Sequence, residues 1–229
     1  MLLPLLLLAQ TAPAAGPPTP ARGDRYAECI EQARRDPAAA VRGAAAWQQA
    51  GGGFLAQQCL GIAHTTAGRW DAAAAAFEAA ARTAEAGRDQ RSGSFWAQAG
   101  NAWLAAGDAA RALAALDAVM IGGTLSGLDL GEAHLDRARA LVATGRQNDA
   151  RADLDRALVL AGDDPLAWLL SATLARRTGD LLRARKDIGR ALTLSSDDAA
   201  VQLEAGNIAA VEGNEAAART AWELSLIHI

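Results

Sequence analysis

The chain has 229 residues, of which 51% are apolar and only 4% aromatic, and a formal net charge of −4. Alanine supplies much of the apolar content, which excludes a disordered polyelectrolyte and favours a core of closely approaching helices. Lys186 is the only lysine. Because no basic stripe exists to neutralise a row of phosphates, the composition disfavours a dedicated nucleic-acid binder.

The first 21 residues are typical of a signal peptide followed by a linker. They carry no ionisable side chain, and the apolar run at 2–9 is shorter than the roughly 20 residues that a membrane span needs. A small-x-small cleavage site stands at 12–14. We therefore expect a periplasmic or secreted protein without a transmembrane segment in the mature chain. The alternative is a cytoplasmic protein with a misassigned start, because no Lys or Arg precedes the apolar run.

Helix signals follow along the rest of the chain. Capping residues, prolines and apolar periodicity predict twelve helices, at 24–35, 38–50, 54–67, 70–86, 93–106, 108–120, 130–144, 147–160, 165–178, 181–194, 198–211 and 215–225. Residues 22–53 form a divergent N-terminal hairpin in this interpretation. The extra residues at 86–92 and 122–131 are expected to lengthen loops between hairpins.

A repeat runs through the second to sixth helix pairs. Five glycines are separated by 39, 38, 34 and 34 residues, and each ends a predicted helix. They are Gly68, Gly107, Gly145, Gly179 and Gly213. An alanine follows each glycine by five residues (Ala73, Ala112, Ala150, Ala184, Ala218), and a small residue precedes it by seven (Gly61, Gly100, Ala138, Ala172, Gly206). We expect the small residue to face the alanine, with a bulky residue such as Phe77 or Trp222 beside them.

This pattern resembles the tetratricopeptide repeat (TPR) family, whose unit is a helix-turn-helix of 34 residues. The resemblance covers residues 54–225, about five hairpins, and implies an all-α, right-handed superhelical solenoid. It also implies a non-enzymatic scaffold that binds a peptide or helix of a partner protein in its concave groove. For an exported chain this is an adaptor of the bacterial cell envelope, and a cytoplasmic regulatory module of the same family is the alternative.

The resemblance further implies which residues line the groove. Inward positions of the first helix of each hairpin bring together a polar row and a leucine row. The set is Asn101, Leu135, Arg139, Leu169, Thr173, Arg176, Leu203 and Asn207. It suits a peptide that lays down an apolar face while Asn and Arg hold its backbone or acidic groups. The alternative is that the leucines support the next helix and Arg139 pairs with Glu132 or Asp136.

Two cysteines, Cys29 and Cys59, predict a disulfide in an exported chain, or two buried small residues in a cytosolic one. Both lie at the same depth in the first helix of their hairpins. The predicted bridge therefore joins the divergent hairpin to the array.

Motifs that carry chemistry are missing from the sequence. It has no P-loop, no Gly-x-Ser-x-Gly elbow and no His pair at helical spacing, so we predict no enzyme, no cofactor and no metal site. An enzyme with a thiol/imidazole site at Cys59 and His64 is the least favoured alternative, because the two point in different directions on one helix. His64 and His134 are expected to be packing residues. The same holds for most of the tryptophans, Trp47, Trp70, Trp96, Trp103, Trp168 and Trp222.

Two clusters of arginines and the atypical last six residues remain to be interpreted. Arg34-Arg35 and the cluster at 176–186 are interpreted as solvated helix faces, with a weak patch for a carboxylate-bearing partner as the alternative. Residues 224–229 break the preceding composition and resemble the translation of a sequencing adapter. We expect an artefactual tail and a fifth repeat that is truncated.

Overall fold

A computed structural model describes residues 22–227, and the predicted signal peptide and linker lie outside the described residues. Every regular element in this part of the chain is an α-helix. The twelve helices are α1 (Arg22–Arg35), α2 (Pro37–Gln49), α3 (Gly53–Thr66), α4 (Trp70–Ala86), α5 (Ser92–Ala105), α6 (Ala109–Gly122), α7 (Gly127–Ala143), α8 (Gln147–Leu160), α9 (Pro165–Arg177), α10 (Leu181–Leu194), α11 (Ala199–Val211) and α12 (Glu215–Ile227). The predicted all-α fold is confirmed, and most helix ends lie within one residue of their predicted positions.

Short polar side chains and glycines set these ends. The carboxylates of Asp36, Asp164 and Asp198 accept hydrogen bonds from backbone N–H groups in the first turns of α2, α9 and α11. The five repeat glycines all have φ between +67° and +84°, a conformation that costs glycine little and other residues more. The spacing of these glycines therefore fixes where each first helix stops and the second begins.

Each first helix packs along its second helix, and successive hairpins stack in chain order into a right-handed solenoid. The apolar core runs through the stack as a series of clusters, in which the repeat alanines are buried. Ala73, Ala112, Ala150, Ala184 and Ala218 are at most 1% exposed. Such short side chains let the two helices of a hairpin approach closely.

The repeat glycines on the first helices pack against the bulky residue of the second helix. A Cβ added to Gly61 would lie 2.5 Å from the ring of Phe77, one added to Gly100 2.5 Å from Leu116, and one added to Gly206 2.4 Å from Trp222. At these three glycines the backbone thus lies directly beneath the bulky side chain of the second helix. A ring or a branched chain occupies the space that a side chain would need.

Buried ionic networks join neighbouring hairpins. Asp153, 4% exposed, accepts hydrogen bonds from Arg137 at 2.9 and 3.0 Å, and Arg137 also reaches Asp117 at 2.7 Å. His134 contacts Asp153 through Nδ1 at 2.8 Å, so it is a member of this network rather than a packing residue. One repeat further on, buried Asp187 accepts from Ser171 and from Arg183. Paired in this way, the buried carboxylates avoid the cost of an isolated charge.

The divergent first hairpin, α1 and α2, is tied to α3 by a disulfide between Cys29 and Cys59, whose Cα atoms are 6.2 Å apart. The predicted pairing is thus present, with Cys59 fully buried. At the other end, buried Ser225 donates a hydrogen bond to the carbonyl oxygen of Ala199 at 2.9 Å, and α12 continues to Ile227. None of the described helices is long and apolar enough to cross a membrane.

Candidate partner-binding groove

The first helices of the hairpins lie on the inner side of the solenoid. Apart from helices that follow one another in the chain, α1 approaches α3, α5 approaches α7, and α9 approaches α11, whereas no pair of second helices approaches to a similar extent within residues 22–227. A stack of hairpins curves toward the side where its helices are closer. The first helices therefore line the concave face, as the resemblance implied.

A pocket of about 410 Å³ on this face lies between α3, α5 and α7. Its floor and walls include Ile62, Phe77, Ala97 and Leu125, and half-exposed Trp70 stands at its rim. The polar groups around the pocket include three carboxylates, Asp129, Glu132 and Asp136, and three uncharged side chains, Ser94, Gln98 and Asn101. No Arg or Lys lines this pocket. It is therefore an acidic cleft with an apolar floor.

A polar row joins the first helices along the groove. Asn101 on α5 donates a hydrogen bond to Asp136 on α7 at 3.0 Å, and Arg139 donates to the same carboxylate at 2.8 Å. Toward the N-terminus, Gln58 contacts Gln98 at 3.4 Å. The pairing of Arg139 with Asp136 is the alternative that the charge pattern had left open. Both groups keep partial exposure, 43% and 19%, so a partner can still reach them.

The leucines of the predicted groove divide into two kinds. Leu135 and Leu169 are 4% and 9% exposed and belong to the core clusters beneath α7 and α9. They support neighbouring helices and offer almost no surface to a partner, which corrects their predicted place in the groove. Leu203 on α11 is 49% exposed and remains available. The leucine row is therefore interrupted where the core needs its side chains.

A second, smaller pocket of about 170 Å³ follows between α7 and α9. Val142, Leu154 and Leu170 form its apolar part, Thr173 lies in its wall, and Arg139 and Arg177 stand at its edge. The hydroxyl of Thr173 donates to the carbonyl oxygen of Leu169 at 2.9 Å. Charge along the groove thus changes sign, from carboxylates at the first pocket to guanidinium groups at the second.

The remaining predicted groove residues hold the last hairpins together. Arg176 donates two hydrogen bonds to buried Glu204 at 2.7 and 3.1 Å, and this contact raises the pKa of Arg176 above its ordinary value. Asn207 donates to Glu204 at 3.3 Å and accepts from the indole N–H of Trp222 at 3.3 Å. These side chains lie on the predicted face, but their hydrogen-bonding groups are largely occupied.

A thiol/imidazole site is contradicted by the disulfide. Because Cys59 is bonded to Cys29, no thiol stands near His64. Burial, together with the positive charge of Arg69, lowers the pKa of His64 below its ordinary value, and its Nδ1 is buried without a hydrogen-bond partner among residues 22–227. In the part of the chain that the structure describes, no three His, Cys, Asp or Glu side chains gather in a way that could hold a metal ion.

Sequence reasoning missed the acidic pocket. Asp129 lies in a segment that had been assigned to a loop, but α7 begins at Gly127 and carries Asp129 and Glu132 along its first turns. The two carboxylates, three positions apart, share one helix face with Asp136 four positions further on. Had the helix been extended by one turn, this spacing would have revealed the acidic face.

Comparisons with known proteins agree with the fold. Residues 131–174 match the family model described as Tetratricopeptide repeat. The crystal structure of PilW, described as a widely conserved type IV pilus biogenesis factor, is similar with a TM-score of 0.72 and 19% identity, over 87% of this chain and 90% of PilW. PilF of Pseudomonas aeruginosa is similar with a TM-score of 0.69 and 14% identity, over 87% of this chain and 90% of PilF.

YrrB, described as a TPR protein with an unusual peptide-binding site, is similar with a TM-score of 0.59 and 16% identity, over 80% of this chain and 90% of YrrB. At such identities the likeness concerns the fold. The comparison with curated proteins found no match. Residues 131–174 thus match the tetratricopeptide repeat, and the helical hairpins of the described residues have the fold of the solved TPR structures.

Proposed function

We propose that this protein is a non-enzymatic interaction scaffold of the bacterial cell envelope that binds a peptide or helix of a partner protein along its concave groove. The open pocket between α3, α5 and α7 carries the proposal, because it combines an apolar floor with polar groups that retain hydrogen-bonding capacity. The described peptide-binding site of YrrB, a protein of the same fold, supports it.

Two features support the envelope as the place of action. The Cys29–Cys59 disulfide suits an oxidising compartment such as the periplasm. The uncharged apolar opening of the sequence suits export with removal of about the first 9 to 15 residues. Intact mass of material released from the periplasm tests this part. Recovery of the uncleaved chain in the cytosol alone would contradict it.

Partner binding is tested with a blocked groove and a matched control. Thr66 lines the first pocket and Thr193 lies on the second helix of another hairpin; both are exposed, and both hydroxyls donate to the carbonyl oxygen four residues earlier. In crosslinking capture from an envelope extract of the native host, Thr66→Trp should lose the protein that the wild type captures. Thr193→Trp should retain it. Equal capture by both variants would refute the groove.

A further inference from the structure

We propose that the first pocket of the groove, between α3, α5 and α7, binds a lysine or arginine side chain of the partner segment, next to an apolar residue of that segment. This inference rests on the proposed function and specifies its ligand.

The carboxylates around the first pocket are not balanced by basic residues. Asp136 is already paired with Arg139 and Asn101, but Asp129 and Glu132 have no ion-pair or hydrogen-bond partner among residues 22–227. Arg139 is occupied by Asp136, and no Arg or Lys among residues 22–227 lines the pocket itself, so Asp129 and Glu132 face the cleft without a counter-charge from its walls. An incoming cation would therefore find an attractive potential that an acidic segment would not.

The exposed tryptophan at the rim of the pocket also favours a cationic side chain. Trp70 is 37% exposed at the pocket edge. The indoles of Trp47, Trp96 and Trp103 each have an arginine over their ring at 3.7–5.4 Å, whereas no described arginine stacks on Trp70. An open indole face beside carboxylates is a favourable place for a guanidinium or ammonium group.

The rest of the groove sets the position of this cation. The same side chain at the second pocket would meet Arg139 and Arg177, so repulsion confines it to the first. Below the carboxylates, Ile62, Phe77 and Leu125 offer an apolar surface for a neighbouring side chain. A free small cation would leave this surface uncovered, which is why we commit to a protein segment.

Selection from a phage-displayed library of random 12-residue peptides tests the proposal on the full oxidised chain. We expect the selected peptides to carry Lys or Arg next to an apolar residue. Synthetic copies should bind the isosteric variant Asp129→Asn/Glu132→Gln about tenfold more weakly by fluorescence anisotropy. The control Asp197→Asn/Glu223→Gln removes the same charge from two exposed positions outside the pocket and should change the Kd less than twofold. Binding should also weaken as NaCl rises.

The outcomes separate this inference from the proposed function. Selected peptides that are acidic or uncharged, yet fail to bind Thr66→Trp, would leave the groove in place and overturn the cation. Peptides that bind Thr66→Trp as well as the wild type, or a selection without enrichment, would overturn both. Equal loss in the two charge variants would show that net charge alone attracts the peptide and would refute the pocket. Displacement by spermidine well beyond that by NaCl of equal ionic strength would assign the pocket to small cations instead.

Discussion

The disulfide between Cys29 and Cys59 should decide whether the first hairpin stays docked on the array. The cluster that joins α1 and α2 to α3 is built around three alanines, Ala33, Ala40 and Ala63, with Val41 and Ile62 beside them, and Trp47 of α2 is the one large side chain buried in the described part of this hairpin. The bridge spans a sequence separation of 30 residues. The chain-entropy relation for a loop of that length gives about 3.6 kcal/mol, which corresponds to roughly a 400-fold change in the opening equilibrium.

Hydrogen exchange followed by mass spectrometry measures this locally. Because a repeat array opens from its ends, reduction or the double variant Cys29→Ala/Cys59→Ala should accelerate exchange in α1 and α2 and leave α7–α10 unchanged. Reduced wild type keeps both sulfur atoms and serves as the control for the volume that alanine removes at buried Cys59. Unchanged protection of α1 and α2 would refute the reasoning, as would an equal loss of protection in every hairpin.

Three further predictions concern the stability of the stack. Ala73→Leu or Ala184→Leu should each lower the free energy of unfolding by about 1 to 3 kcal/mol through overpacking, measured by urea denaturation; wild-type stability at both sites would show that the repeat register is wrong. Asp153→Ala should lower the free energy of unfolding by about 3 kcal/mol in the same assay, because Arg137 and His134 lose a buried partner while Arg137 keeps Asp117. A decrease of less than about 1 kcal/mol would contradict a structural role of this network. The lowered pKa of His64 means that the unfolded chain binds the proton more readily, so stability should fall as the pH drops below the ordinary histidine pKa of 6.5. His64→Gln should flatten melting temperature against pH across that range, and an unchanged slope would exclude His64 as the cause.

Local signals in the sequence were sufficient for the fold. A capping aspartate or a turn glycine determines a helix end by itself, so spacing alone located the hairpins. The burial of charged residues was not predicted, because Asp153 and Asp187 become interior only when a side chain of a neighbouring helix, Arg137 or Ser171, pairs with them. The same limit applies to the groove, since whether Leu135 faces a partner or the core depends on how the next hairpin docks.

The stacking of a bulky side chain on a small residue has a consequence for how the repeats can diverge. In each of the five repeat hairpins the two positions are sixteen residues apart, as in Gly61 with Phe77 and Gly206 with Trp222. Both rings stand on a glycine, whereas the two alanine positions, and Gly100 with Leu116, have an aliphatic partner. Neither position can therefore drift alone, and related sequences should exchange volume between them in a compensated way. This coupling lies within one hairpin, so one hairpin can change its pair without a compensating change in the next. The inner face can therefore diversify while the backbone spacing of the repeats stays constant.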